Sequence, residues 1–122
     1  MEAILPLKIN LKDGESVYFG ASKVTAVHNG GYTILIIDGE SMPVLKESEM
    51  VSLDDADTPK KRLYYHMQQH YLERSGEHLR IAEDLARGLS RNDLEIFNAA
   101  RAAFTEARQF KALRLLRDLA GV

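Results

Sequence analysis

The sequence predicts an α+β fold, in which a small N-terminal antiparallel β-sheet or partly open barrel of about five strands precedes a C-terminal bundle of three to four helices. Apolar and polar side chains alternate between turn signals up to residue 57. From residue 58 onward the apolar residues recur at helical spacing, and all the arginines lie in this second half. We therefore predict a β subdomain over residues 1–57 and a helical subdomain over residues 58–122, packed together as one compact unit.

Short strands separated by turn signals are predicted in the first half. They cover residues 5–11, 16–19, 23–27, 32–37 and 42–45. Pro6 places the first strand at an edge, because proline cannot donate a ladder hydrogen bond. The pair Asn29-Gly30 predicts a hairpin between the third and fourth strands. Since the fourth strand is apolar on both faces, we expect it at the centre of the sheet, with helices covering one side.

Helices are predicted throughout the second half. Thr58 is a suitable N-cap and Pro59 a suitable first helical residue, because its missing N–H would have no partner there. Ser90 is a good cap for the third helix. The apolar stripe loses its helical phase near residues 108–109, so a fourth helix should begin there and end before Gly121. The predicted helices cover residues 59–74, a stretch around 79–89, 91–107 and 110–120.

The composition excludes several classes of protein. The chain has 122 residues, a net charge of −2 and no Cys, so disulfides and thiolate chemistry are excluded. Its first residues are too few and too acidic for a signal peptide, and no apolar run is long enough to span a bilayer. We expect a soluble cytoplasmic protein with no membrane partner.

The sequence contains no motif for catalysis or cofactor binding. His66 and His70 have the spacing of a zinc-binding helix, but Met67 stands where a metalloprotease would carry Glu. The glycines of the first half lie between strands, so no phosphate-cradling loop between a strand and a helix is indicated. We expect neither an enzyme nor a bound metal or cofactor.

Charge is unevenly distributed along the chain. Residues 1–57 hold four lysines and ten acidic residues, a net charge of −6, whereas the rest carries +4. Lys60, Lys61 and Arg62 fall in the first turn of the first predicted helix, at the positive end of its dipole, which disfavours cations. Either the acidic residues at 54–57 or an external anion such as a phosphate must offset this arrangement.

One face of the first predicted helix has the composition of an RNA-binding site. We expect the face away from Leu63 and Met67 to carry cations, an aromatic ring and two amides, of which Gln68 is one. Such groups bind phosphates, stack on unpaired bases and read base edges. The predicted RNA-binding residues are Lys60, Lys61, Arg62, Tyr65 and Gln69, with Arg108, Lys111 and Arg114 as a second contact. An ordinary solvated surface or a protein interface is the alternative for this face.

The segment ADTPKKRLYY, residues 56–65, is the most distinctive stretch of the chain. Five shorter segments support the same family resemblance: residues 11–15, 43–45, 67–68, 71–72 and 110–114. Together they resemble the FlbT family of flagellar regulators over nearly the whole chain.

This resemblance implies a post-transcriptional regulator of flagellum biogenesis. Such a protein binds the 5′ leader of flagellin mRNA and represses its translation or promotes its degradation. The resemblance also implies FlaF and flagellin as protein partners, and it brings no catalytic residues. Members of the family often carry basic residues around the hairpin turn, whereas residues 27–32 of this chain contain no Lys or Arg. The RNA-binding prediction therefore rests on the helices.

A protein adaptor that docks flagellin or FlaF is the alternative hypothesis, with mRNA affected only indirectly. The net negative charge and the acidic first half favour it slightly, because they repel phosphates. The edge strand and the small sheet also predict a homo-oligomer, most simply a dimer, since unpaired strand edges bind other strands.

Overall fold

The computed structural model describes residues 7–20, 22–27, 31–37, 43–106 and 108–122. Its strands are β1 (Leu7–Lys12), β2 (Ser16–Phe19), β3 (Ser22–Thr25), β4 (Tyr32–Ile37) and β5 (Val44–Lys46). Its helices are a 3₁₀ turn (Glu47–Glu49), α1 (Pro59–Glu73), α2 (Gly76–Ala86), α3 (Arg91–Thr105) and α4 (Gln109–Ala120). Five strands followed by four α-helices confirm the predicted α+β fold class.

The chain forms two compact units, Met1–Ser48 and Glu49–Val122. The first holds all the described strands, and the second holds the four α-helices together with the segment that leads into α1. The division into subdomains at residues 57 and 58 follows the change in secondary structure and stays a prediction.

The β unit contains two antiparallel sheets that do not close into a barrel. One pairs β1 with β4, and the other has the order β3-β2-β5. Their inward side chains form one core of Ile9, Leu11, Val17, Ala26 and Val44. The alternation of apolar and polar residues that predicted these strands therefore also selects the residues of the core.

The predicted hairpin between the third and fourth strands is wrong. Residues 28–30 of that turn lie outside the described residues, but β3 pairs with β2, and β4 pairs with β1. The N–H of Gly14 donates to Ala26 (2.7 Å), and the N–H of Ala26 donates to Glu15 (2.9 Å). These bonds hold the end of β3 beside the turn that follows β1. The β1–β4 pairing joins strands that β2 and β3 separate in the sequence, and a local turn signal cannot reveal such a pairing.

The central position predicted for the fourth strand is also wrong. Among the described strands β4 pairs with β1 alone, and Tyr32, Ile34 and Ile36 are 63%, 60% and 59% exposed. Apolar residues on both faces of a strand predict burial only if something covers each face. The edge position predicted for the first strand is consistent with the two-stranded sheet, although Pro6 lies outside the described residues.

The helix ends follow the predicted capping residues. The Thr58 hydroxyl accepts a hydrogen bond from the N–H of Lys61 (3.1 Å), and the Ser90 hydroxyl accepts one from the N–H of Asp93 (3.3 Å). The predicted break near residues 108–109 is confirmed, since α3 ends at Thr105 and α4 begins at Gln109.

In the helical unit, α1 packs against both α2 and α4, and α3 packs against α4. Fully buried side chains from three of the helices form its core: Leu63, Met67, Phe97 and Leu116. No described helix combines the length and the apolar character that a membrane span requires.

Contacts along α1 show that α4 runs antiparallel to it. The rings of Tyr71 and Phe110 lie 5.9 Å apart, near the end of α1 and the start of α4. Seven residues earlier on α1, the Tyr64 hydroxyl donates to the carbonyl of Glu49 (2.6 Å), and the Glu49 carboxylate lies 3.7 Å from Arg117 near the end of α4. This antiparallel pair sets the distances between the predicted site residues.

Candidate nucleic-acid interface

The three cations at the start of α1 have different surroundings. Lys60 Nζ lies 2.9 Å from Asp93 Oδ2 on α3, and Lys61 Nζ lies 3.2 Å from Asp57 Oδ1. Arg62 is exposed, and its guanidinium has no ion-pair partner among the described residues. The conflict with the helix dipole is therefore offset from within the chain for the two lysines, whereas no described acidic residue offsets it for Arg62.

The acidic partners are only partly those that the sequence indicated. Asp57 belongs to the acidic stretch just upstream, but Asp55 binds the hydroxyl of Ser52 (3.0 Å). Asp93 comes from a different helix, and the hydrogen bond that it accepts from Lys60 lowers the pKa of its carboxyl. Both lysine pairs lie at the surface, where an ion pair contributes up to about 1 kcal/mol and is screened by salt.

Tyr65 and Gln69 are half-buried and already in contact with neighbouring side chains. The ring of Tyr65 meets His66 edge-on at 5.1 Å and His78 edge-on at 6.3 Å between centroids. The Gln69 amide accepts a hydrogen bond from Gln68 (2.9 Å) and donates one to Glu73 (3.4 Å). Both would have to leave these contacts, or share them, to bind a base.

The outward position expected for Gln68 is wrong, because this side chain is only 1% exposed. Its amide oxygen accepts from the N–H of Val51 (2.8 Å), and its amide nitrogen donates to the carbonyl of the same residue (3.0 Å). Gln68 follows Tyr64 by one helical turn, so both lie on the same side of α1. The position of Tyr64 beside the apolar stripe was the available signal for this burial.

The second predicted contact contains two cations without a described partner. Arg108 lies 2.6 Å from the carboxylate of Glu106. Lys111 and Arg114 are exposed, and neither forms an ion pair with another residue in the described ranges. Their positions on the exposed side of α4 leave both charges open to solvent.

The structure does not bring the two predicted groups together. Lys111 follows Phe110, which contacts Tyr71, so it lies beside the C-terminal half of α1. Arg62 is nine residues before Tyr71, a distance of about 13 Å along the helix. An RNA strand would therefore have to follow the length of the α1–α4 pair to contact both groups.

Sequence reasoning missed a pair of histidines that joins α1 to α2. His66 Nδ1 lies 3.0 Å from His78 Nδ1, and His78 Nε2 lies 3.0 Å from Glu73. Burial, with the neighbouring His78, lowers the pKa of His66. His70, which the sequence placed beside His66 by spacing, instead binds the carbonyl of Ser75 (2.8 Å). In the part of the chain that the structure describes, no three His, Asp or Glu side chains form a metal site.

Comparison with known proteins gives a consistent result. The family model described as "Flagellar protein FlbT" matches residues 7–122. Two proteins of Rhodopseudomonas palustris, from strains TIE-1 and ATCC BAA-98 / CGA009, are named "Probable flagellum biosynthesis repressor protein FlbT". Each is 30% identical over an alignment that covers 94% of this chain and 92% of the relative. A protein of the same name from Caulobacter sp. strain K31 is 30% identical, with 94% and 91% covered. No solved structure matches the chain.

Proposed function

This chain belongs to the FlbT family of flagellar proteins, and from that membership we infer that it represses flagellum biosynthesis, as the names of its relatives state for them. The proposed mechanism is post-transcriptional. The protein binds the 5′ leader of flagellin mRNA in the cytoplasm and lowers the translation or the lifetime of that mRNA. This function needs no catalytic group.

The observation that best supports RNA binding is that three of the predicted site residues are exposed cations without an acidic partner in the described residues: Arg62 on α1 and Lys111 and Arg114 on α4. An unpaired surface cation can bind a phosphate without first losing an ion pair. Lys60 and Lys61 are held only by surface pairs, which contribute little, so a phosphate can replace Asp93 or Asp57. Tyr65 and Gln69 would complete the first contact through stacking and a base edge.

The test is binding of the purified protein to a labelled transcript of the flagellin 5′ leader over a salt series. We expect the affinity to fall steeply with added salt, because each neutralised phosphate releases counterions. Two variants remove these cations: Arg62→Glu, and separately Lys111→Glu with Arg114→Glu. Each should weaken RNA binding by about tenfold or more and make the affinity fall less steeply with salt concentration. Lys23→Glu makes the same charge change in the β unit, where it breaks the ion pair of Lys23 with Glu47 (2.9 Å), and this variant should bind RNA as the wild type does. Wild-type affinity in both helical variants would overturn this assignment.

A second candidate function is a protein adaptor that docks FlaF or flagellin and affects mRNA indirectly. The pairing of Lys60 with Asp93 and of Lys61 with Asp57 favours it, because two of the three cations at the helix start are already neutralised. Mixing the purified protein with purified FlaF or flagellin tests this hypothesis. A stable complex on size exclusion, together with no retention of leader RNA, would favour the adaptor over the RNA-binding repressor.

A further inference from the structure

The β1–β4 pair places six side chains on one of its faces. In its antiparallel register Lys8 lies opposite Ile36, Asn10 opposite Ile34, and Lys12 opposite Tyr32. Directly opposed residues in an antiparallel pair point to the same side of the sheet. We call the surface formed by these six residues the ribbon face.

The opposite side of the same two strands is part of the core. Ile9 and Leu11 are 7% and 1% exposed, and Leu35 packs against the same cluster. A shift of one residue in register would expose these side chains and bury lysines instead. Burial of one face therefore forces the ribbon face to point outward.

The ribbon face carries an uninterrupted apolar stripe. Tyr32, Ile34 and Ile36 are each about 60% exposed and follow one another on β4 over about 13 Å. Scattered apolar side chains are common at protein surfaces, but adjacent large ones that remain exposed mark a binding surface. The burial pattern therefore indicates a partner that covers this stripe.

The charges beside the stripe limit what that partner can be. Lys8 and Lys12 are exposed on β1, and Lys12 Nζ lies 6.0 Å from the centre of the Tyr32 ring. Both charged residues of the ribbon face are thus positive, although residues 1–57 carry a net charge of −6. The same face of a second copy contains no acidic side chain that could pair with these lysines. RNA could use the lysines and Tyr32, but it would leave Ile34 and Ile36 without apolar contact.

We propose that the ribbon face binds an amphipathic helix of another protein, whose apolar stripe covers Tyr32, Ile34 and Ile36 and whose acidic flank contacts Lys8 and Lys12. A helix of about nine residues matches the length of the stripe. Such binding is the ordinary packing of an apolar helix face on a sheet, with charge complementarity fixing its direction. The inference does not depend on RNA binding by α1 and α4.

Three synthetic helical peptides test this proposal against the full-length protein. The first carries Leu at helical spacing and Glu along one flank, the second replaces Glu by Lys, and the third keeps Glu but replaces Leu by Gln. We expect the first peptide to bind and the other two to bind at least about tenfold more weakly. Equal binding of the Leu/Glu and Leu/Lys peptides would overturn the charge assignment, and equal binding of the Leu/Glu and Gln/Glu peptides would overturn the apolar one.

Variants locate the binding surface. Ile34→Asn should weaken binding of the Leu/Glu peptide about tenfold. Leu53→Asn changes an exposed apolar residue of the helical unit and should leave that binding unchanged. Lys8→Glu with Lys12→Glu should reverse the preference and favour the Leu/Lys peptide. The proposal fails if the preference does not reverse. It also fails if Ile34→Asn abolishes binding to single-stranded RNA or converts a dimer to a monomer, because the occupant would then be RNA or a second copy.

Discussion

Two side chains of α1 attach the segment that precedes this helix. Tyr64 donates its hydroxyl hydrogen to the carbonyl of Glu49, and Gln68 uses both halves of its amide on the backbone of Val51. Together they satisfy backbone groups that have no secondary-structure partner, which buried polar atoms require. The sequence assigned Gln68 to the RNA-binding face of α1. This side chain and Tyr64 instead hold the segment around Glu49 and Val51 against the helix.

Tyr64 makes this attachment sensitive to alkaline pH. Burial raises the pKa of Tyr64 from 10.0 to about 12. Because the folded state favours the protonated phenol, this group contributes stability that is fully present below pH 10. That stability is lost as the pH rises from about 10 through about 12.

We predict that Tyr64→Phe removes this alkaline loss and lowers the free energy of unfolding at neutral pH by about 1–2 kcal/mol, because the carbonyl of Glu49 loses its donor. Urea unfolding followed by circular dichroism at neutral and alkaline pH measures both effects. Tyr65→Phe is the matched control, since the Tyr65 hydroxyl makes no hydrogen bond within the described residues. If the two variants unfold alike at every pH, the role assigned to Tyr64 is wrong.

At the scale of the elements, the N-caps of α1 and α2 differ in a way that can be measured. The Thr58 hydroxyl accepts from the N–H of Lys61, but the Ser75 side chain makes no capping hydrogen bond. Thr58→Ala should therefore lower the free energy of unfolding by about 1 kcal/mol, and Ser75→Ala by much less. Thermal unfolding of the two variants is the measurement. A loss at Ser75 as large as that at Thr58 would contradict this account of the caps.

Sequence patterns predicted the elements better than their partners. Thr58, Ser90 and Gly121 act on adjacent backbone groups, so their capping roles could be predicted from the sequence. The pairing of Lys60 with Asp93 joins residues on different helices, and no local pattern contains that information. The same limit applies to the sheet, where hydrophobic alternation identifies strands but does not choose which strands pair.

For the candidate site, too, the sequence predicted the residues better than their partners. The sequence identified the cations of the helical half but not which of them are already paired. Arg62, Lys111 and Arg114 form no ion pair within the described part of the chain, whereas Arg108 pairs with an acidic neighbour two residues before it. That neighbour, Glu106, was visible in the sequence. Whether a nearby carboxylate actually engages a cation depends on the local helix end, which only the structure provides.

At the scale of the whole molecule, three of the described strands pair with another described strand on one side only. In the described sheets β2 is paired on both sides, whereas β1, β3 and β4 each pair with one described strand. Open edges bind further strands unless they are covered or charged. This arrangement supports the homo-oligomer that the sequence predicted.

We predict that the purified protein is a dimer at micromolar concentration, joined through the backbone edge of a strand. Because main-chain hydrogen bonds make such an interface, Ile34→Asn on the ribbon face should leave the dimer intact, and added salt should have little effect on it. Light scattering coupled to size exclusion measures the mass of the wild type and of this variant. A monomer at every concentration tested would contradict the edge-pairing argument, and a salt-sensitive dimer would assign the interface to the oppositely charged halves of the chain instead.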